Sequence, residues 1–129
     1  MKKLTLICTF AAMLTACNDA GSKFIGKWQN VGEKKLVLDI SKNKGGENYI
    51  VEEIVTTPAH NEDNFITGAI THHEARVEKF DVTATLDGEI LNVSMPLRGI
   101  IPMKIEKNIL IFNIGATCKD CEKYQKISD

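Results

Sequence analysis

Residues 80–95 constrain this chain more than any other stretch. Phe80, Val82, Ala84 and Leu86 alternate with Asp81, Thr83 and Thr85, and Asp87-Gly88 follows at once. A strict period of two marks a strand with one buried face. Asp-Gly between two such runs is a strong short-range hairpin signal. The return run puts Leu91, Val93 and Met95 on one face.

The same rhythm recurs elsewhere. Leu36, Leu38 and Ile40 form one row, and Ile101, Met103 and Ile105 another. Between them, residues 42–48 read as a glycine-containing hairpin loop, and Tyr49–Val55 is β-branched, with a bulge expected at Glu52-Glu53. Lys107-Asn108 reads as a turn into Ile109–Ile114, and Glu122–Ile127 closes the chain. Pro102 implies an edge or a bulge, because proline has no N–H for a ladder. Residues 56–79 carry two patterns. Thr71-His72-His73-Glu74 has capping-box form for a short helix over 72–79, while Phe65–Ile70 and Ala75–Leu86 read as strands. We favour the strands. The expected fold class is all-β, an antiparallel up-and-down meander of seven or eight strands. Closure into a small barrel would hide its edges.

Phe24-Ile25-Gly26-Lys27-Trp28 resembles the Gly-x-Trp motif that opens the first strand of lipocalins and lipocalin-like bacterial domains. The resemblance covers about five residues beside the strand rhythm. It implies that Trp28 plugs the closed end of a barrel and that Gly26 lets the chain pass closely over it. The chain is shorter than a full lipocalin, so any cavity is expected to be small.

The N-terminus reads as an address. Lys2 and Lys3 precede the uncharged, mostly apolar run Leu4–Met13. That run is too short to span a bilayer but fits the apolar region of an export signal. Leu14-Thr15-Ala16-Cys17 then resembles the lipobox of bacterial lipoproteins. The resemblance implies cleavage of residues 1–16, acylation of Cys17 by fatty acids such as palmitate, and a lipid anchor. Two or three acyl chains hold firmly where one does not. Asn18, in place of the aspartate of the enterobacterial retention pattern, favours an outer membrane facing the periplasm. Residues 18–23 read as a tether, and 24–129 as one domain.

Without the signal, 14 basic residues face 17 acidic ones, a net charge of −3. No basic face invites nucleic acid. Of the four cysteines, Cys8 leaves with the signal and Cys17 carries lipid, so Cys118 and Cys121 are left to pair as a structural disulfide in an oxidising compartment. A redox role for the pair asks for a following helix, and the strand-like sequence around it offers none.

His60, His72 and His73 lie in a polar stretch with Glu62, Asp63 and Glu74 and read as solvated. On a strand, His72 and Glu74 share a face, while His72 and His73 do not. No metal or other cofactor is expected. Glu52-Glu53 and Glu62-Asp63 read as wet surface. No nucleophile elbow, phosphate cradle or metalloprotease signature is present, so the domain is expected not to be an enzyme. Pro96-Leu97-Arg98-Gly99-Ile100 puts Leu97 and Ile100 near a loop tip, where apolar residues at a barrel rim make a contact surface. Trp28, Leu97 and Ile100 are therefore the candidate ligand-binding residues. The expected function is a non-catalytic binding module for a small apolar envelope ligand. The alternative is a protein–protein device, either an inhibitor or immunity protein of a cell-wall hydrolase or an accessory subunit of an envelope complex.

Overall fold

The structure is a computed structural model and describes residues 20–129. The expected signal cleavage and the acylation of Cys17 lie outside the described residues. After a 3-10 turn at Ser22–Phe24 come ten strands: β1 (Gly26–Asn30), β2 (Leu36–Lys42), β3 (Tyr49–Thr57), β4 (His60–Asp63), β5 (Ile70–His73), β6 (Arg76–Asp87), β7 (Ile90–Met95), β8 (Gly99–Glu106), β9 (Ile109–Phe112) and β10 (Lys123–Ser128). Eight of them close into an antiparallel barrel in the order β1-β10-β9-β8-β7-β6-β3-β2. Each barrel strand neighbours the previous and the next barrel strand, and β10 closes on β1. The domain is an up-and-down, small lipocalin-like barrel, and closure removes the edges that an open meander would leave.

Turn chemistry sets the connections at one end. Gly88 (φ 60°) with Glu89 joins β6 to β7, and Lys107 (φ 50°) with Asn108 (φ 65°) joins β8 to β9. Left-handed backbone at the central residues matches the twist of the flanking strands. The expected bulge at Glu52-Glu53 is absent, because β2 and β3 pair without a break from Leu36↔Val55 to Lys42↔Tyr49. The irregularity lies instead between Lys27 and Trp28 opposite β10. Beside it, Gly26 has φ 126°, and a Cβ there would stand 2.5 Å from the Ser128 carbonyl oxygen. The close approach that calls for glycine is thus to β10. Pro102 needs neither edge nor bulge: the β8–β9 ladder ends at Met103↔Phe112, one residue short of it.

The inward-facing residues make one core, including Leu38, Ile40, Tyr49, Val51, Ala84, Leu91, Val93, Met103, Leu110 and Tyr124. Burying each aliphatic side chain contributes about 1.5–3 kcal/mol. Phe24 and Trp28 cap one end, where the indole N–H donates to the Phe24 carbonyl at 2.8 Å. That closed end also carries the incoming chain, the 43–48 loop and both two-residue turns. The opposite end, the mouth, carries the β1–β2, β7–β8 and β9–β10 connections.

From the mouth rises a long two-stranded ribbon. Pairing of β3 with β6 ends at Thr57↔Arg76, and pairing of β4 with β5 resumes at His60↔His73 in the same register. Pro58, lacking an N–H, marks the break. The short helix over 72–79 does not form; β5 and the start of β6 occupy that stretch. Ile70 opens β5, but Phe65–Ala69 is not a strand either. It is the ribbon tip, where Asn64 Oδ1 accepts the N–H groups of Ile66 (2.9 Å) and Thr67 (3.1 Å). A side chain that takes two local donors favours a turn over continuing the ladder.

Candidate ligand site at the barrel mouth

Alternation along β3 turns Tyr49, Val51 and Glu53 inward and Glu52 outward. Glu52 meets Lys79 on the outer wall at 3.4 Å. Glu53, between Leu38 of β2 and Phe80 of β6, is half-buried in the uppermost inward layer. The expectation of wet surface holds less well for Glu53 than for its neighbours. Burial raises its pKa above the ordinary carboxylate value, and the charge of Arg98 partly opposes that rise.

Around Glu53 lies a cavity of about 390 Å³ lined by Leu36, Glu53, Phe80, Met95, Pro96, Arg98 and Ile114. Four strands and two connections supply these residues. Arg98 leans across the rim, its Nη1 3.5 Å from the Ile114 carbonyl oxygen. Below, Tyr124 and Asn30 form a buried polar floor, and the Tyr124 hydroxyl hydrogen-bonds the Asn30 side chain. Burial first of all pushes the Tyr124 pKa up to about 12, with the Glu53 and Glu33 charges adding to it. Below that floor the barrel axis is filled by core side chains. A ligand therefore seats at the mouth and not along the axis. An apolar ring around a few convergent polar groups is the usual composition of a small-molecule site.

The three residues expected at such a site do not meet. Leu97 is fully exposed at the β7–β8 tip with φ 66°. Ile100 stands opposite Ser94 on the outer wall, and Trp28 is buried at the closed end. Pro96 and Arg98, the neighbours of Leu97, line the cavity instead. The period-2 reading already contained Glu53, Phe80 and Met95 as inward positions. The rim joins inward residues of four strands to Pro96, Arg98 and Ile114 of two connections, a convergence that no single run of the sequence displays.

Cys118 and Cys121 stand as a disulfide, with Cα atoms 5.2 Å apart, at the mouth end. Their loop packs on Gly32, where a Cβ would lie 3.0 and 3.1 Å from the two sulfurs. Larger concavities lie on the ribbon, including one of about 540 Å³ lined mainly by polar residues such as His60, Glu62, His73 and Arg76. There His60 stacks on His73 (4.8 Å between ring centres), and His73 Nε2 lies 3.1 Å from Glu62. His72 pairs with Asn61 across the ribbon at 2.8 Å and not with Glu74. Among the described residues, no three His, Cys, Asp or Glu side chains converge as a metal centre. The chain matches no protein-family model, and no curated protein and no solved structure is significantly similar to it.

Proposed function

We propose that the chain is a non-catalytic, lipid-anchored binding module of the cell envelope whose barrel mouth takes the apolar part of a ligand. The observation that carries this reading is the mouth cavity: a ring of Leu36, Phe80, Met95 and Ile114 around one half-buried carboxylate. The lipobox resemblance at Leu14–Cys17 supports the address. Closure of the barrel over a filled interior gives the mouth a rigid floor. The test is native mass spectrometry of the mature protein after incubation with its own envelope extract. A defined small mass that disappears in Met95→Lys supports the reading. A bare protein, or a mass unaffected by that change, opposes it.

One observation favours a second reading, a protein–protein device. The ribbon is exposed on both faces from Pro58 to His72, and its tip presents Phe65 (101% exposed) and Ile66 (96%). Apolar side chains held so far from any core make natural contacts for a partner. In-cell cross-linking from a photoreactive residue at position 66 tests this. A single adduct that survives Met95→Lys and is lost with Phe65→Ser would favour the partner over the ligand.

A further inference from the structure

The β3–β6 ribbon leaves one backbone edge open directly beside the mouth. β3 pairs with β6 all the way from Ala84 to Arg76. β7 pairs with β6 only from Ala84↔Val93 to Asp87↔Ile90. In that register the last residues of β7, Ser94 and Met95, still flank Thr83 and Val82, so among the described residues the other edge of β6 has no strand beside it from Arg76 to Asp81. Such an edge carries a row of N–H and C=O groups that only another backbone matches well, and proteins usually blunt it with proline, a bulge or charged side chains. Of the last, this edge has Arg76 and Glu78, paired with each other at 3.6 Å, Lys79 and Asp81. Here the register is unbroken and the segment holds no proline. Its one lysine, Lys79, is drawn across its own ribbon to Glu52 at 3.4 Å. Val77 (57% exposed) and Phe80 (51%) add apolar surface along the edge.

We propose that this edge takes an extended polypeptide segment as an additional strand, its last side chain entering the mouth cavity and its C-terminal carboxylate meeting Arg98. This rests on the mouth reading above and names its ligand class. Six residues of open edge span about 20 Å, enough for a strand of ordinary length. The foot of that edge is the cavity itself, since Phe80 belongs to both. Arg98 is the one cation in the lining, and Glu53 beside it is pushed by burial toward its neutral form, which leaves Arg98 to meet a ligand carboxylate next to the apolar ring. With its C-terminus at Arg98 and its body along Arg76–Phe80, the segment runs parallel to β6. Main-chain bonds then give affinity and the cavity gives selectivity, as in other strand-addition complexes.

The experiment uses residues 20–129, which contain the whole closed barrel and its core, with two probes. One is the neutral dye N-phenyl-1-naphthylamine. The other is a hexapeptide set of alternating Thr and Val ending in Leu, Ile, Phe, Val or Ala, each as free acid and as amide. We expect at least one free acid to bind, with its amide about tenfold weaker, the loss of one charge-assisted contact. Amide NMR shifts and slowed exchange should centre on Arg76–Asp81, and Arg98→Gln should remove the acid–amide difference while leaving the spectrum of the barrel intact. If the dye binds and Met95→Lys abolishes that binding, but no peptide binds, the polypeptide inference is wrong and the mouth reading stands. If neither probe binds, both fall. Equal binding of acid and amide, or shifts away from β6, also overturns the inference.

Discussion

At the scale of single residues, the mouth end is organised by groups that carry no periodic signal. Asn30 is buried to 1% exposure at the end of β1. Its Nδ2 donates to the Cys121 carbonyl at 2.7 Å, and its Oδ1 accepts from Gly32 (3.0 Å) and Glu33 (2.7 Å). One side chain thus ties the β1–β2 turn to the disulfide loop. Asn30→Leu should cost about 2–4 kcal/mol in urea unfolding, because each lost bond leaves a poorly solvated partner. Tyr124 gives a pH dependence of definite sign. Its pKa is about 12 in the folded chain against an ordinary 10.0, so the folded state holds the proton more tightly. The stability it lends is complete below about pH 10 and is lost as pH rises toward 12, by up to about 2–3 kcal/mol. Tyr124→Phe should flatten alkaline unfolding in that window, whereas neutral-pH stability falls only by the bond to Asn30. Gly32→Ala should destabilise by about 1–2 kcal/mol through the two sulfurs it would crowd. That cost should shrink in the Cys118→Ser/Cys121→Ser background, a coupling measurable by a double-mutant cycle.

At the scale of elements, the barrel and the ribbon divide what the sequence reveals. Rows such as Phe80–Leu86 and Leu91–Met95 are legible because each strand has one wet face and one dry face, and burial writes that difference into the residues. The ribbon has no dry face, so nothing selects alternation in His60–Asp63 or Ile70–His73, and a helical pattern over 72–79 competes with the favoured strands. What decides there is cross-strand pairing, His60 with His73 and His72 with Asn61, which a single chain does not announce. Glu53 reads as wet surface for a related reason: a carboxylate at an inward position contradicts the hydrophobic pattern, and such exceptions collect at sites. The ribbon's independence is testable. Replacing residues 58–75 by Asn-Gly should join Thr57 to Arg76 through a two-residue turn that their existing pairing already accommodates. Since Pro58–His72 is exposed throughout, the barrel's stability should change by less than about 1 kcal/mol. A collapse of the denaturation midpoint would show instead that the ribbon braces the mouth.

At the scale of the whole molecule, the direction of the chain gives the anchor a geometric consequence. Residues 20–25 arrive at the closed end, where the 3-10 turn lies against Tyr49 and Phe24 is fully buried. If Cys17 carries the proposed lipid, the closed end would be held toward the membrane. The mouth would then face away from it, with the ribbon tip about 26 Å beyond Thr57 by strand rise alone. The Phe65–Ile66 tip then addresses molecules in the aqueous space and not the anchoring bilayer. That orientation is consistent with the mild negative charge, which gives the domain no reason to lie flat on anionic lipid. The full lipidated protein in vesicles containing nitroxide-labelled headgroups makes the prediction measurable. A fluorophore at Asn108, in a closed-end turn, should be quenched strongly, one at Leu97 weakly, and one at Ile66 not at all. Cys17→Ser should abolish quenching at every position by releasing the chain. Strong quenching at Ile66 would place the ribbon on the membrane and move its partner from solution to lipid.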